Sequence, residues 1–378
     1  MAYTVQFNKP FIVGKELEYI REAVALGKLT GDGHFTRLCH QYFQERYGFA
    51  KCLLTTSCTD ALEMSALLAR INPGDEVIVP SYTFVSTANA FVLRGANIVF
   101  ADSLPDQPNL DVRQLEALIT PRTKAIVPVH YAGVAVDMDP LMALARQHQL
   151  LVVEDAAQAI ESRYKGKQLG SIGHFAAFSF HETKNIISGE GGMLVVNDPS
   201  GTDRAEILWE KGTNRAAFFR GETDKYNWVD IGSSFLPSEL TAAFLYAQLE
   251  HLEQIQAKRL AIWKTYFEGL RDLEQQGRVA LPRIPDYASN NAHMFYLVAE
   301  SLEQRTALID ALKADGYRAV FHYQALHESP FYRNRHDGRA LPEAMRYSDC
   351  LVRLPMYYEL DLSTVQQIAA CVRKFYNA

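Results

Sequence analysis

Short apolar segments alternate with amphipathic ones through the first half of the chain. Lys124–Val129 and Leu151–Glu154 have the length and the aliphatic content of strands that are buried on both faces. Val112–Ile119 and Pro140–His148 have helical spacing instead, and Asp139 is placed to cap the second of these helices. Apolar strands that alternate with helices predict right-handed crossovers and a largely parallel sheet. The expected fold class is therefore α/β.

The pattern changes after Asn197 and indicates a second structural unit. From Pro237 to about Gln276 the sequence predicts one nearly continuous helix, with Pro237 in its first turn. Shorter strands and helices follow, as in a small α+β domain. Because a domain averages about 150 residues, we expect the 378-residue chain to form a large domain over residues 1–250 and a small C-terminal domain over residues 251–378, linked by the long helix.

Composition and charge narrow the class of protein without defining its activity. The sequence is 48% hydrophobic and 22% charged, as in ordinary globular proteins. Its net charge of −6 argues against a nucleic-acid or anionic-membrane surface, since those need a basic field. The five cysteines form no CxxC pair, and residues 1–6 lack the pattern of a signal peptide. We therefore expect a cytoplasmic protein with reduced thiols.

An acid and a lysine stand at the ends of two predicted strands. Leu151–Glu154 runs directly into Asp155, and Lys184 follows the apolar stretch Phe175–Phe180. Open α/β sheets bind ligands at the carboxyl ends of their strands. Pyridoxal 5′-phosphate (PLP) needs a lysine for its Schiff base and an acid beside its ring nitrogen, so this pair indicates a PLP site. Each residue also has an ordinary explanation, because solvated loop lysines and aspartates that cap a helix are common.

The phosphate of such a cofactor has a candidate seat near the first predicted strand. Ser57, Cys58 and Thr59 open a helix there, and free amide groups at a helix N-terminus attract anions. Ser179 precedes the lysine by five residues and is expected to reach the same phosphate. Simple capping of the helix by its own polar residues is the competing explanation.

Two more residues suit the ring of the cofactor. Gln158 follows Asp155 closely and is expected to donate to the phenolic oxygen, although an exposed helical glutamine is the plainer interpretation. Phe84 lies after another predicted strand and is placed to stack on a heterocycle, although aromatic residues are more often simply part of the core.

No competing motif accounts for these residues. The sequence contains no GxxxxGK(S/T), GxGxxG or HExxH segment. His130, His322 and His327 are scattered, and His181 has no second histidine at metal-ligand spacing. Neither a nicotinamide dehydrogenase nor a metal site is therefore expected.

Five segments, taken in order, resemble the DegT/DnrJ/EryC1/StrS family of sugar aminotransferases, which have the fold of aspartate aminotransferase. The resemblance runs over nearly the whole chain, and its last two segments carry the most specific motifs. The segments are Thr56–Leu62, Pro80–Thr87, Pro128–Gly133, Glu154–Gln158 and Ser179–Asn185. The resemblance implies a fold type I PLP-dependent transferase, with a large PLP-binding domain and a small α+β domain.

The resemblance also implies a role for each candidate residue. The implied roles are Lys184 as the Schiff-base lysine, Asp155 as the partner of the pyridinium, Gln158 at the phenolic oxygen, Phe84 stacked on the ring, and Thr59 with Ser179 on the phosphate.

A homodimer in which each active site is completed by the neighbouring subunit is implied as well. The chain departs from the family in one segment, since many members carry Gly-Tyr-Asn-Tyr-Arg where this chain has Gly232–Leu236. The asparagine of that motif reaches the partner's phosphate. Ser234 stands in its place here and is shorter, and Asn214 in the preceding loop is a possible substitute.

The implied reaction transfers the amino group of L-glutamate to the 4-keto carbon of a dTDP-4-keto-6-deoxy sugar. Several alternatives remain open from the sequence. The product amine can be equatorial rather than axial, or can lie at C3. Sugar dehydratases of the same family have histidine at the position of Lys184. The lysine in this chain therefore argues against dehydratase activity. A regulatory protein without cofactor on the same scaffold is the alternative from another class.

Overall fold

A seven-stranded sheet forms the centre of the molecule, which the computed structural model describes from residue 3 to residue 377. The strands of the described chain are β1 (Lys51–Thr55), β2 (Glu76–Pro80), β3 (Asn97–Ala101), β4 (Thr123–Ile126), β5 (Leu151–Asp155), β6 (Arg163–Tyr164), β7 (Lys167–Gln168), β8 (Phe175–Ser179), β9 (Gly192–Val196), β10 (Tyr296–Val298), β11 (Val320–Phe321) and β12 (Leu351–Arg353). The large sheet has the order β1-β9-β8-β5-β4-β2-β3. Only β9 runs antiparallel to its neighbours, so the predicted mostly parallel α/β sheet is confirmed.

Helices cover this sheet and make up much of the remaining chain. They are α1 (Glu16–Ala25), α2 (His34–Tyr47), α3 (Cys58–Leu68), α4 (Val85–Val92), α5 (Met138–Gln147), α6 (Thr202–Trp209), α7 (Arg215–Phe219), α8 (Glu239–Leu249), α9 (Leu252–Gln275), α10 (Leu302–Ala314), α11 (Pro342–Cys350) and α12 (Leu362–Asn377). Within residues 3–377, no helix is long and apolar enough to cross a membrane.

The core lies on both faces of the large sheet. In β5, Val153 belongs to a cluster with α3 and α4, whereas Val152 belongs to a second cluster with α2, α5 and α8. This division follows from the strand period of two, which points successive side chains to opposite faces. It explains why the strands read as continuous apolar runs rather than as alternating ones.

A three-stranded antiparallel sheet in the order β10-β12-β11 lies in the C-terminal part. Residues of α9, α10 and α12 pack on it in a third apolar cluster. The division into domains at residues 250 and 251 stays a prediction.

The predicted single helix from Pro237 to about Gln276 is wrong in two respects. The helix begins at Glu239, because the Ser238 side chain caps it by accepting from the Thr241 amide at 3.3 Å. It then breaks after Leu249, and α9 starts at Leu252. At the break, His251 Nδ1 lies 3.1 Å from the Ala247 carbonyl and replaces the usual backbone donor there.

Two predictions in the large sheet's connections also need correction. Residues 112–119 form two short 3₁₀ turns, Val112–Gln114 and Glu116–Leu118, rather than an α-helix. Helix α5 begins at Met138, so Asp139 lies inside its first turn and does not cap it. Asp137 is the boundary residue, and its carboxylate accepts from the Tyr164 hydroxyl at 2.6 Å instead of capping the helix.

Candidate active site

Strand register brings the predicted phosphate residues to one edge of the sheet. Gly192 of β9 is in register with both Thr55 of β1 and Ser179 of β8. A Cβ atom on Gly192 would overlap the backbone of Ser57 and Cys58 at the start of α3. Ser179 and the N-terminus of α3 therefore lie on either side of a glycine that no larger residue can replace without displacing backbone.

The start of α3 has the features of an anion site. Ser57 caps the helix, and its hydroxyl accepts from the Asp60 amide at 3.1 Å. Thr59 Oγ1 lies 2.8 Å from Ser86 Oγ of α4. The Ser86 hydroxyl, which the sequence analysis did not single out, therefore belongs to the same site. The amides of the first turn have no helical acceptors, and with these hydroxyls they can hold a phosphate.

Asp155 is a buried carboxylate at the carboxyl end of β5. Thr87 Oγ1 donates to its Oδ2 at 2.7 Å, and the Ala157 amide donates to its Oδ1 at 3.2 Å. Burial raises the pKa of Asp155, while the Thr87 hydroxyl, the Ala157 amide and the Lys184 charge partly oppose this rise. No helix follows Asp155, so the alternative role as a helix cap is excluded.

The neighbouring carboxylate, Glu154, faces away from this site and has a structural role. It accepts from His130 Nε2 at 2.9 Å and from the amides of Gly170, Ile172 and Gly173 at 2.6 to 2.8 Å. Burial favours its neutral form, but these donors outweigh burial and lower the pKa of Glu154. The two adjacent acids thus have pKa values that shift in opposite directions, with that of Glu154 lowered and that of Asp155 raised.

Lys184 lies in the loop after β8, on the same side of the sheet as Asp155. Burial lowers the pKa of Lys184, and the nearby Cys58 and Asp155 partly offset this. Because a lowered pKa increases the neutral fraction of the amine, the site favours a lysine that acts as a nucleophile.

The next residue, Asn185, fixes the lysine loop to the rest of the chain. Its side-chain amide donates to Gln256 Oε1 at 2.8 Å and to the Asn291 carbonyl at 2.9 Å. Its oxygen lies 2.9 Å from His293 Nδ1. All four side chains are buried, so the backbone around Lys184 is held by a network that is fully satisfied at Asn185.

Gln158 and Phe84 lie near a tyrosine that the sequence did not identify. Gln158 accepts from the Ala132 amide at 2.6 Å and donates to the Tyr323 hydroxyl at 3.0 Å. One amide hydrogen of Gln158 is therefore used, and the second stays available for a ligand. Phe84 is 55% exposed and its ring centroid lies 6.0 Å from that of Tyr323. An exposed ring at a strand end is open to stacking by a heterocycle.

Asn214 and Ser234 belong to the long loop between α6 and α8, and the Phe235 carbonyl next to Ser234 accepts from the Thr56 amide at 3.0 Å. Asn214 Oδ1 accepts from the Asn227 amide at 2.7 Å, and Ser234 is exposed. In the described chain neither residue contacts Lys184 or Asp155. Their predicted contact is with a partner subunit, so it stays a prediction.

The residues that come together fit PLP. The ionised Asp155 is buried and has no ion-pair partner among residues 3–377, so a protonated ring nitrogen would supply the missing positive charge. Lys184 would hold the aldehyde carbon, and the α3 N-terminus with Ser179 would hold the phosphate. Within the described chain, no group of three metal-ligating residues is found.

The family model for DegT/DnrJ/EryC1/StrS aminotransferases matches residues 10–373. The chain belongs to this aminotransferase family. Members of the family are PLP-dependent, so PLP is the cofactor and the predicted fold type I architecture is confirmed.

Individual relatives resemble the chain over almost its full length. The spore coat polysaccharide biosynthesis protein SpsC of Bacillus subtilis (strain 168) is 33% identical and aligns over 97% of this chain and 96% of its own. The structure of DesV from S. venezuelae, solved with a ketimine intermediate, has a TM-score of 0.90 at 30% identity and covers 100% of both chains. A Streptococcus pneumoniae protein described as a sugar aminotransferase, solved in its PLP form, has a TM-score of 0.90 at 25% identity and covers 99% of both chains. The protein is accordingly a PLP-dependent sugar transaminase.

Proposed function

We propose that this transaminase moves the amino group of L-glutamate to C4 of dTDP-4-keto-6-deoxy-D-glucose and yields dTDP-4-amino-4,6-dideoxy-D-galactose. The observation that carries the chemistry is a pair of residues. Burial lowers the pKa of Lys184, and Asp155 is a buried carboxylate that forms no ion pair within residues 3–377. The choice of sugar rests on sequence motifs outside this pair.

The motifs that support this sugar lie in the lysine loop and in the loop before α8. They resemble dTDP-4-amino-4,6-dideoxygalactose transaminase, an enzyme of enterobacterial common antigen synthesis. The resembling segments are Phe180–Asn185, Glu210–Arg215, Phe218–Gly221, Asp224–Tyr226 and Asp230–Ser234. A role in cell-surface polysaccharide synthesis, whether of this antigen or of an O-antigen, follows from the same resemblance and agrees with the name of the B. subtilis relative.

Each side chain of the site has a separate role in the proposed reaction. Bound PLP supplies an aldehyde for the amino group and a ring that acts as an electron sink. Asp155 holds the proton on the ring nitrogen, and Thr87 keeps that carboxylate oriented and ionised. Lys184 Nζ takes the proton from Cα of the amino donor, since burial lowers its pKa and so favours the neutral amine that can act as a base. The Asn185 network holds the loop so that this amine stays on one side of the ring.

We further propose a homodimer with shared active sites. The loop between α6 and α8 exposes large apolar side chains, including Trp228 at 84%, Phe219 at 68% and Ile231 at 47%. Apolar side chains that cluster at the surface commonly mark an interface. Asn214 and Ser234 lie in this same loop, where a partner's phosphate is the predicted contact.

The reaction itself tests the proposal. The protein is incubated with PLP, L-glutamate and dTDP-4-keto-6-deoxy-D-glucose, and the product is isolated and examined by proton NMR. Small couplings at H4 indicate the axial amine of the galacto sugar. Large couplings would indicate the gluco epimer, and an amine at C3 would indicate another positional class; either result rejects the proposed product. A protein that releases no 2-oxoglutarate with any keto sugar would support the regulatory alternative.

A further inference from the structure

Asn291 is a buried residue that forms hydrogen bonds with two separate segments of the candidate active site. It is 1% exposed, and its Nδ2 donates to the carbonyls of Gln158 at 2.7 Å and of Ile160 at 2.8 Å. Its backbone carbonyl accepts from the side-chain amide of Asn185, the residue after Lys184, at 2.9 Å. One residue therefore connects the segment after β5, which contains Gln158, with the loop that contains the lysine.

The orientation of the Asn291 amide is fixed by its partners. Its Oδ1 accepts from the backbone amide of His293 at 3.0 Å, and its Nδ2 faces two carbonyls, which can only accept. Its backbone carbonyl also accepts from Gln256 Nε2 at 2.5 Å. Because both atoms of the side-chain amide are used, the amide cannot turn without losing bonds in a buried environment. A buried network that is satisfied in this way is rigid.

The backbone around Asn291 adopts uncommon conformations that bring it close to Gly133. A Cβ atom on Gly133 would lie 2.0 Å from Asn291 Oδ1, so only glycine leaves room for the amide. Ala132 and Ala292, which flank this contact, have φ values of 55° and 50°, in the left-handed region that residues other than glycine rarely adopt. Such conformations persist where the surrounding contacts require them, and they cluster at functional sites. The Ala132 amide also donates to Gln158 Oε1 at 2.6 Å, so this strained corner binds the same glutamine.

The proposed chemistry needs a fixed distance between the lysine loop and the segment that contains Gln158. Gln158 is expected at the phenolic oxygen of the cofactor, and Lys184 must reach the cofactor's aldehyde carbon and later the proton on Cα of the donor. A displacement of about 1 Å between reacting groups can lower a rate by about a hundredfold. Asn291 connects these two segments through its own atoms, with Asn185 as the one intervening side chain on the lysine side.

We propose that Asn291 is a positioning residue that holds the lysine loop and Gln158 at one separation on either side of the cofactor. The inference rests on the proposed roles of Lys184 and Gln158 in transamination, but not on the identity of the sugar. The alternative is that Asn291 only stabilises the fold. In that case its loss lowers stability and leaves each folded, PLP-loaded molecule as active as before.

Asn291→Asp tests the proposal, because it keeps the shape of the side chain and turns the donor toward Gln158 and Ile160 into an acceptor. The dissociation constant for PLP, measured by absorbance titration of the protein freed of cofactor, should rise at least about tenfold. In single turnovers with L-glutamate, the maximal rate per PLP-loaded molecule should fall about tenfold to hundredfold. The glutamate concentration that gives half of this rate should change less than about twofold, because no contact to the donor is removed.

Asn197→Asp is the matched control. Asn197 Nδ2 also donates to two backbone carbonyls, those of Gly170 at 2.8 Å and Gly173 at 2.9 Å. It follows β9 at the end opposite Gly192, so it lies at the edge of the sheet away from the phosphate residues. Unfolding in urea should show a lower stability for this variant, as for Asn291→Asp. Its affinity for PLP and its rate per loaded molecule should stay at wild-type values.

Gly133→Ala is a second test, since its methyl group displaces the Asn291 amide without removing a polar group. It should reproduce the weaker PLP binding and the lower maximal rate of Asn291→Asp.

Three outcomes would overturn the inference. The first is wild-type PLP affinity and rate in Asn291→Asp together with the loss of stability seen in Asn197→Asp. The second is a change confined to the half-saturating glutamate concentration, which would assign Asn291 to the donor's binding site. If Asn291→Asp does not fold, wild-type PLP affinity and rate in Gly133→Ala is the third. A wrong assignment of the amino donor would instead appear as absent turnover in the wild type, and the PLP titrations would still decide the role of Asn291.

Discussion

Replacing Thr87 by valine removes the hydroxyl that donates to Asp155 while it preserves the shape of the side chain. The bond is short, at 2.7 Å, and both residues are buried. A hydrogen bond to a buried charged group contributes about 1.5–3 kcal/mol. The valine variant should therefore lose about ten- to hundredfold in the rate of the glutamate half-reaction at neutral pH.

The same change should alter the pH dependence in a defined direction. Burial raises the pKa of Asp155, and the Thr87 bond opposes that rise. Without the hydroxyl the pKa rises further, so the ionised acid is lost at a higher pH. The acid limb of the pH–rate profile should consequently move toward higher pH in Thr87→Val.

Rates of the glutamate half-reaction are measured between about pH 5 and about pH 9 for wild type, Thr87→Val and Thr87→Ser. The serine variant keeps the donor and should stay close to wild type. Thr265→Val is a control, because Thr265 donates to the Ala261 carbonyl within α9, away from the site. A valine variant with an unshifted acid limb and a wild-type rate would refute the role of Thr87 in tuning Asp155.

Three further predictions concern packing and protonation. Gly192→Ala should weaken PLP binding at least tenfold in an absorbance titration, because its Cβ displaces the backbone at Cys58. Asn185→Leu leaves two buried partners, Gln256 Oε1 and His293 Nδ1, without a bond, at about 1–3 kcal/mol each, so the free energy of unfolding in urea should fall by at least ~2 kcal/mol. Burial lowers the pKa of His40 from 6.5 to about 3. Below pH 6.5 the His40 side chain is therefore protonated in the unfolded chain but stays neutral in the folded chain. Stability should decline as the pH falls through this window, and His40→Asn should decline less between about pH 7 and about pH 5.

The sequence was enough to predict the large sheet and to choose the candidate residues of the site, whose roles stay predictions. Apolar runs such as Leu151–Glu154 identify strands of a parallel sheet, because both faces of those strands are buried. Asp155 and Lys184 could be located because strand ends of such a sheet share one edge. The phosphate corner at Ser57 could be located from a strand followed by polar residues and a helix.

Residues that act through tertiary contacts could not be located in the same way. Thr87 and Ser86 lie in a helix whose sequence gives no sign of the partners it meets. Tyr323 comes from the C-terminal part, more than 130 positions after Lys184, and no local pattern connects it to the site. At the helix break, the His251 side chain contacts the Ala247 carbonyl of the preceding turn, and helix propensity does not describe such a contact.

The most direct test of the central claim is chemical trapping at Lys184. The PLP-loaded protein is reduced with borohydride, digested, and analysed by mass spectrometry. The account predicts one pyridoxyl group, attached to the peptide that contains Lys184, and none in Lys184→Ala. Pyridoxyl on another lysine, or stoichiometric pyridoxyl in the alanine variant, would contradict it.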